Sequence, residues 1–159
     1  VPVLVIGGQA LPAYGVVRQT VDLDCLVADE DLERLDALLR QGGFRVEERT
    51  AIFSRYRHPD PLEGDVDLLA VDRETMDAMY GRGRELRLDA ISLRVPSLPH
   101  LIALKLHAAR NDPRRFLRDL ADIADLRRAN PDLVSTDELR GLCERYGPPG
   151  SFGALEGRT

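Results

Sequence analysis

Short apolar runs separated by turn residues fill the first half of the chain, and repeats at helical spacing fill the second. Val3 to Ile6 is continuously apolar and runs into Gly7-Gly8, the pattern of a short buried strand entering a tight turn. Ala10 to Val17 predicts a short helix ended by Gly15. Asp22 to Val27 predicts a second strand. Asp29 stands as an N-cap, Glu30 and Asp31 supply a first acidic turn, and Leu32, Leu35, Leu38 and Leu39 recur at helical spacing until Gly42-Gly43. Phe44 to Glu48 and Ile52 to Arg57 alternate as strands about a bend at Thr50-Ala51, and His58 to Gly64 turns on its prolines and glycine. Asp65 to Val71 predicts another strand, Arg73 to Tyr80 a short helix, and Glu85 to Leu88 with Ile91 to Val95 a hairpin across Asp89-Ala90.

After Pro96 the period changes. Ser97 caps a predicted helix from Leu98 to about Arg110, with Pro99 tolerated in its first turn. Asp112-Pro113 starts a second, which Asn130-Pro131 stops. Ser135-Thr-Asp-Glu138 is a capping box for a third, ending at Tyr146. The pattern implies an α+β fold: a central mixed sheet flanked by helices, with a C-terminal helical layer. Residues 1–96 read as an α/β core, 97–147 as C-terminal helices packed on it, and 148–159 as a flexible tail.

Composition narrows the function classes. The formal net charge of −5 argues against a generally basic nucleic-acid-binding surface, although Arg82, Arg84 and Arg87 cluster, as do Arg110, Arg114, Arg115 and Arg118. No apolar run is long enough to span a membrane and no secretory signal is present. The chain begins inside a strand-like run, so a leading helix is expected to be missing. Cys25 and Cys143 have no metal-like spacing and read as reduced thiols of a cytoplasmic protein.

The candidate chemistry lies between Gly7 and Asp24. On a strand Asp22 and Asp24 point to one face, about 6 to 7 Å apart, and repel unless a positive charge sits between them. Glycine backbone at Gly7 and Gly8 admits an anion closely. A phosphate beside a divalent cation satisfies both halves, and Mg²⁺ prefers one or two carboxylates plus phosphate oxygens. Asp65 and Asp67 repeat the acidic pattern. Asp67, set among Val66, Leu68 and Leu69, is the stronger third carboxylate, because Asp65 lies at the strand's edge beside Gly64. Two ions a few ångströms apart would activate an attacking hydroxyl and steady a leaving pyrophosphate. The plain alternative for each pair is an acidic, solvated strand face.

Lys105 is the chain's single lysine among 21 arginines, set in Leu101-Ile-Ala-Leu-Lys-Leu-His-Ala-Ala. A compact ammonium suits a phosphate oxygen, and a snorkelling surface lysine is the alternative. His107 reads as a structural residue. Asp119, Asp122 and Asp125 share one helical face. Asp122 and Asp125 read as a solvated stripe paired with Arg115 and Arg118, and Asp119 as a residue that orients Lys105 or a substrate.

Gly7-Gly8, Arg18-x-Thr20-x-Asp22-x-Asp24 and the later Asp67 together resemble the nucleotidyltransferase superfamily that includes DNA polymerase beta. Leu104-Lys105-Leu106-x-Ala108 and Arg118-Asp119-Leu120-x-Asp122-Ile123 resemble the AbiEii-like toxins of type IV toxin–antitoxin systems. The resemblance covers about Val3 to Leu126. It implies that Asp22, Asp24 and Asp67 bind metal, Mg²⁺ or Mn²⁺, and that Gly7 and Gly8 cradle the triphosphate of an NTP. It makes Lys105 and Asp119 functional. Arg18 and Thr20 flank the acidic strand as further nucleotide contacts, with an ion pair to a carboxylate as the alternative for Arg18. The commoner family form has serine where this chain has Gly8, which removes a hydroxyl donor that Thr20 would replace. The implied reaction moves a nucleotidyl group to a hydroxyl of RNA, protein or a small molecule, with a cognate antitoxin as partner if the toxin likeness holds. A metal-dependent phosphohydrolase shares the acidic site, and a non-catalytic binding module shares the fold.

Overall fold

The computed structural model describes residues 1–88 and 90–157. Asp89, at the predicted hairpin turn, and residues 158–159 of the predicted tail lie outside the described residues. Contacts divide the chain into two compact units: Val1–Ala10 with Arg18–Pro96, and Leu11–Val17 with Ser97–Thr159.

The first unit is built on a five-stranded mixed sheet. Its strands are β1 (Leu4–Val5), β2 (Leu23–Ala28), β3 (Arg45–Arg49), β4 (Phe53–Arg57) and β5 (Asp65–Val71), in the order β1-β2-β5-β4-β3. Only the β2–β5 pair is parallel, with Asp24 level with Asp67 and Cys25 level with Leu68. The remaining pairs are antiparallel. Alternation then decides the faces. Cys25, Val27, Tyr56, Val66 and Leu68 turn to one side and form a buried cluster, onto which Leu32, Leu35 and Leu39 of helix α1 (Leu32–Gln41) pack. The polar residues between them, Asp24, Asp67 and Arg55, are left on the opposite face.

Helix α2 (Arg73–Arg82) begins where the Asp72 side chain accepts the Thr75 N–H at 2.8 Å, so the strand-to-helix switch is written in one residue. Strands β6 (Arg84–Leu88) and β7 (Ile91–Val95) form a separate antiparallel hairpin.

The second unit is helical. It holds α3 (Leu98–Asn111), α4 (Phe116–Ala129), α5 (Thr136–Tyr146) and α6 (Ser151–Glu156). Ser135 caps α5 by accepting the Glu138 N–H at 3.1 Å, as the capping box requires. Leu101, Ile102, Leu106, Leu120, Ile123, Leu126 and Leu139 are fully buried and supply its core. Asn130 ties in the early segment, donating from Nδ2 to the Tyr14 carbonyl at 2.8 Å.

Two expectations give way. The glycine pair is not a loop leading to a helix at Ala10. A 3₁₀ helix over Gly7–Tyr14 begins at the glycines themselves, and Gly15, at φ 76°, ends it. The flexible tail is replaced over Ser151–Glu156 by a helix, because Leu155, 1% exposed, and Ser151, 2% exposed, are buried in the helical unit. Cys25 and Cys143 are free and buried. Among the described residues no helix is long and apolar enough to cross a membrane.

Candidate active site

The sheet register assembles the acidic residues. Asp24 on β2 and Asp67 on β5 are partners in the parallel pair, and Asp67 is the partner of Arg55 in the antiparallel β4–β5 pair. Paired residues share a face, so Asp24, Asp67 and Arg55 form one row across three adjacent strands. Asp22 immediately precedes β2 and is exposed, whereas Asp24 and Asp67 are half-buried.

Asp24 lies against the glycines. A Cβ on Gly7, at φ +63°, would stand 2.0 Å from Asp24 Oδ2. Only glycine adopts this backbone without strain and leaves room for the carboxylate. The next glycine is packed by the two other nucleotide-binding candidates. A Cβ on Gly8 would lie 2.8 Å from Arg18 Nη2 and 3.0 Å from Thr20 Cγ2. Gln9 Nε2 donates to the Thr20 carbonyl at 3.3 Å and holds this segment to the start of the 3₁₀ helix. Gly7, Gly8, Arg18, Thr20 and Asp24 therefore converge, and the space a serine would fill at position 8 is taken by a guanidinium and a threonine. Below the row, burial and then the charge of Asp24 push the Cys25 thiol up to about 12.

Asp67 is not free to bind a cation on its own. Arg55 donates from Nε to Oδ1 at 2.8 Å and from Nη2 to Oδ2 at 2.6 Å, a bidentate pair. The hydrogen bond to Asp67 raises the pKa of the Arg55 guanidinium far above its ordinary value. Asp65 is paired one step along with Arg57, more loosely, at 3.3 Å through both nitrogens. The described residues hold no group of three or more His, Cys, Asp and Glu side chains placed for a metal ion. The donors thus do not fit a hard cation held by three carboxylates; Asp22 and Asp24 are the pair that would hold one, with phosphate oxygens as the remaining donors.

Lys105 and Asp119 belong to the helical unit, and the structure departs there from the expected solvated stripe. Lys105 is 3% exposed, Asp119 0% and Asp122 4%. Lys105 Nζ donates to Asp122 Oδ2 at 2.6 Å and lies 3.5 Å from Asp119 Oδ1, while Arg115 Nε donates to Asp119 Oδ2 at 3.1 Å. A lysine that snorkels to solvent, or that offers its ammonium to a phosphate, is not what α3 presents. Apolar neighbours keep the side chain inside, and the two carboxylates of α4 neutralise it. Asp125, paired with Arg128 at 2.7 Å, is the exposed member of the series. His107 lies beside Asn111, Nε2 to Nδ2 at 2.9 Å, a local contact within α3.

The architecture is shared with solved structures. The chain has the nucleotidyltransferase fold. It superposes on the antibiotic-resistance factor ANT(2″)-Ia with a TM-score of 0.68 at 20% identity, covering 98% of this chain and 86% of that one. The lincosamide antibiotic adenylyltransferase LnuA, bound to lincomycin, gives 0.56 at 12% identity over 79% and 85%. A nucleotidyltransferase-like protein of Paracoccidioides brasiliensis gives 0.56 at 17% identity over 97% and 84%. No protein-family model and no curated protein matches the chain. Within the nucleotidyltransferase fold, sequence reasoning proposes the glycines and the carboxylates as site residues and does not raise Arg55. A signal for it is present: Arg55-x-Arg57 and Asp65-x-Asp67 carry opposite charges at the same spacing, on strands joined by one turn.

Proposed function

We propose that the chain is a metal-dependent nucleotidyltransferase that moves a nucleotidyl group from an NTP to a hydroxyl of a small molecule. The observation that carries this reading is the packing of Gly7 against Asp24 and of the adjacent Gly8 against Arg18 and Thr20, with Asp67 beside Asp24 in register. Backbone at the start of the 3₁₀ helix, with the Arg18 guanidinium and Thr20, holds the triphosphate. A divalent cation, Mg²⁺ or Mn²⁺, held by Asp22 and Asp24 would neutralise charge on the phosphates. Asp67, fixed by Arg55, faces the acceptor and takes the proton of its hydroxyl. The hydroxyl oxygen bonds to the α-phosphorus as the bond to the pyrophosphate oxygen breaks, and pyrophosphate leaves with the displaced electron pair. Lys105 and Asp119 enter as a buried support of the helical unit and not as phosphate contacts.

A small acceptor is favoured over RNA by the net charge of −5. It is also supported by the fold neighbours that act on antibiotics: the chain spans 86% of the antibiotic-resistance factor and 85% of the lincosamide antibiotic adenylyltransferase.

The test is a labelled-NTP transfer assay against polyhydroxylated small molecules, structured RNA and protein, read by mass spectrometry of the product and by pyrophosphate release. A nucleotidylated small molecule formed by wild type and not by Asp24→Asn is the expected result. A product on RNA or protein would favour the toxin-like reading, with a cognate antitoxin as the partner to seek. Phosphate release with no joined product would favour a phosphohydrolase. No NTP binding in any metal would leave a non-catalytic binding module.

A further inference from the structure

We infer that Arg55, as a fixed protein cation, takes up the carboxylate that a second metal ion would need, so that this site works with one divalent cation. This rests on the nucleotidyl-transfer reading above.

The register places Asp24, Asp67 and Arg55 in one row, so Asp67 has Asp24 on one side and Arg55 on the other. An ion bridging Asp24 and Asp67 would need at least one oxygen of Asp67. Both are engaged, at 2.8 and 2.6 Å, by a guanidinium whose planar fork matches the carboxylate. A divalent cation there would compete with this fork for the carboxylate and sit next to its positive charge. The pair is also set apart from its surroundings. The Asp67 side chain is 13% exposed, so the contact is less screened than the Arg57–Asp65 pair beside it, at 24% for the carboxylate and 58% for the guanidinium. Arg55 is further held by Phe53, with Cζ 5.5 Å from the ring centroid. The oxygen donors for the single ion are then Asp22, exposed just before β2, and Asp24, two residues along on the row itself. Asp67 is thereby a carboxylate oriented without metal, and Arg55 is its positioning residue.

The experiment counts ions. Full-length chain and an NTP analogue with a methylene α,β-bridge, at equal concentrations, are titrated with Mn²⁺, and free Mn²⁺ is read by electron paramagnetic resonance. Wild type is expected to hold one Mn²⁺ per complex. Asp67→Asn is expected to hold one as well, with affinity close to that of wild type. Arg55→Gln is expected to hold two, and Arg55→Gln with Asp67→Asn to return to one. Arg55→Lys, which keeps a cation, is expected to stay at one. Two ions on wild type, or a wild-type ion lost in Asp67→Asn, overturns the inference and leaves nucleotidyl transfer standing. A folded Arg55→Gln, checked by thermal melting, that still holds only one ion also overturns it. If wild type binds neither the analogue nor Mn²⁺, the functional reading itself fails, and transfer assays with the same preparation separate that result from the others.

Discussion

Oδ2 of Asp24 lies 2.0 Å from the point that a Cβ on Gly7 would occupy. No side chain fits there unless the carboxylate moves, and φ +63° at Gly7 adds backbone strain for any other residue. Gly7→Ala should therefore destabilise the fold by about 1–3 kcal/mol and displace the carboxylate proposed to bind metal. Gly141 is the contrast. It lies inside α5 with nothing within 4 Å of the place its Cβ would take, so Gly141→Ala should stabilise by roughly 0.5–1 kcal/mol. Urea denaturation measures both, and the rise in melting temperature given by Mn²⁺ with NTP should vanish only in Gly7→Ala. A full rise in Gly7→Ala would separate Asp24 from the cation.

Cys25 sits directly behind that carboxylate in β2. Burial, and secondarily the charge of Asp24, push its thiol up to about 12. Iodoacetamide at mildly alkaline pH should leave Cys25 unmodified in the native protein and modify it in guanidinium chloride. Asp24→Asn should not speed the reaction much, because burial is the larger cause. Peptide mass spectrometry follows Cys25 and Cys143 separately. Rapid native labelling of Cys25 would show that the sheet opens at β2.

The acidic row is legible because strand alternation is simple. Asp22-x-Asp24 and Asp65-x-Asp67, each embedded in apolar sequence, announce that carboxylates share a face opposite the core. β5 over Asp65–Val71 follows the same pattern from end to end. What strand pattern does not reveal is which strands become neighbours. The parallel β2–β5 pair and the antiparallel β4–β5 pair are non-local choices, and they alone decide that Asp67 meets Arg55. The helical unit is hidden for a different reason. Asp122 carries a charge, and charge on a helix face reads as solvent exposure. Only the approach of α3 to α4 turns that face inward, where Lys105 satisfies it. Ser151–Glu156 reads as tail because of Gly147-Pro-Pro-Gly150, yet Gly150, at φ 82°, acts as the turn that starts the helix.

Tyr56 and Asp36 join the sheet to α1. The Tyr56 hydroxyl donates to Asp36 Oδ1 at 2.9 Å, and Arg40 Nε donates to Oδ2 at 2.7 Å. The Arg40 bond is the largest cause holding Asp36 below its ordinary 3.8, so its contribution is present above that pH and is lost as acid titrates the folded carboxylate. Tyr56 moves the other way. Burial, then the bond to Asp36, raises the phenol from 10.0 to about 12, so its contribution is complete below 10 and is lost as pH rises toward 12. Tyr56→Phe should cost about 1.5–3 kcal/mol near neutral pH, the worth of a hydrogen bond to a charged group. It should also flatten the loss of stability between pH 10 and 12. Urea midpoints across pH for wild type and Tyr56→Phe check this, and equal alkaline slopes would place the transition on another group.

Lys105 is the residue whose environment most changes what a substitution should do. An exposed lysine replaced by methionine shifts stability by about 0.5 kcal/mol or less. Lys105 is 3% exposed, and its ammonium neutralises Asp122 at 2.6 Å and approaches Asp119 at 3.5 Å. Lys105→Met keeps the stem's packing but leaves Asp122 buried without that cation, while Asp119 retains Arg115 at 3.1 Å. The expected loss is about 3–5 kcal/mol, the usual result of removing one partner of a buried ion pair. Removing both charges is gentler than removing one. Lys105→Met with Asp122→Leu should recover a large part of the loss, because an apolar pair of similar volume carries no unpaired charge. Asp119→Asn should cost less than Asp122→Asn, in line with the longer contact. Urea denaturation of these four variants and of Asp122→Leu alone closes the cycle and gives the coupling. If Lys105→Met instead falls within about 1 kcal/mol of wild type while NTP binding weakens tenfold, the ammonium reaches a phosphate after all, and the buried pair is only its resting position.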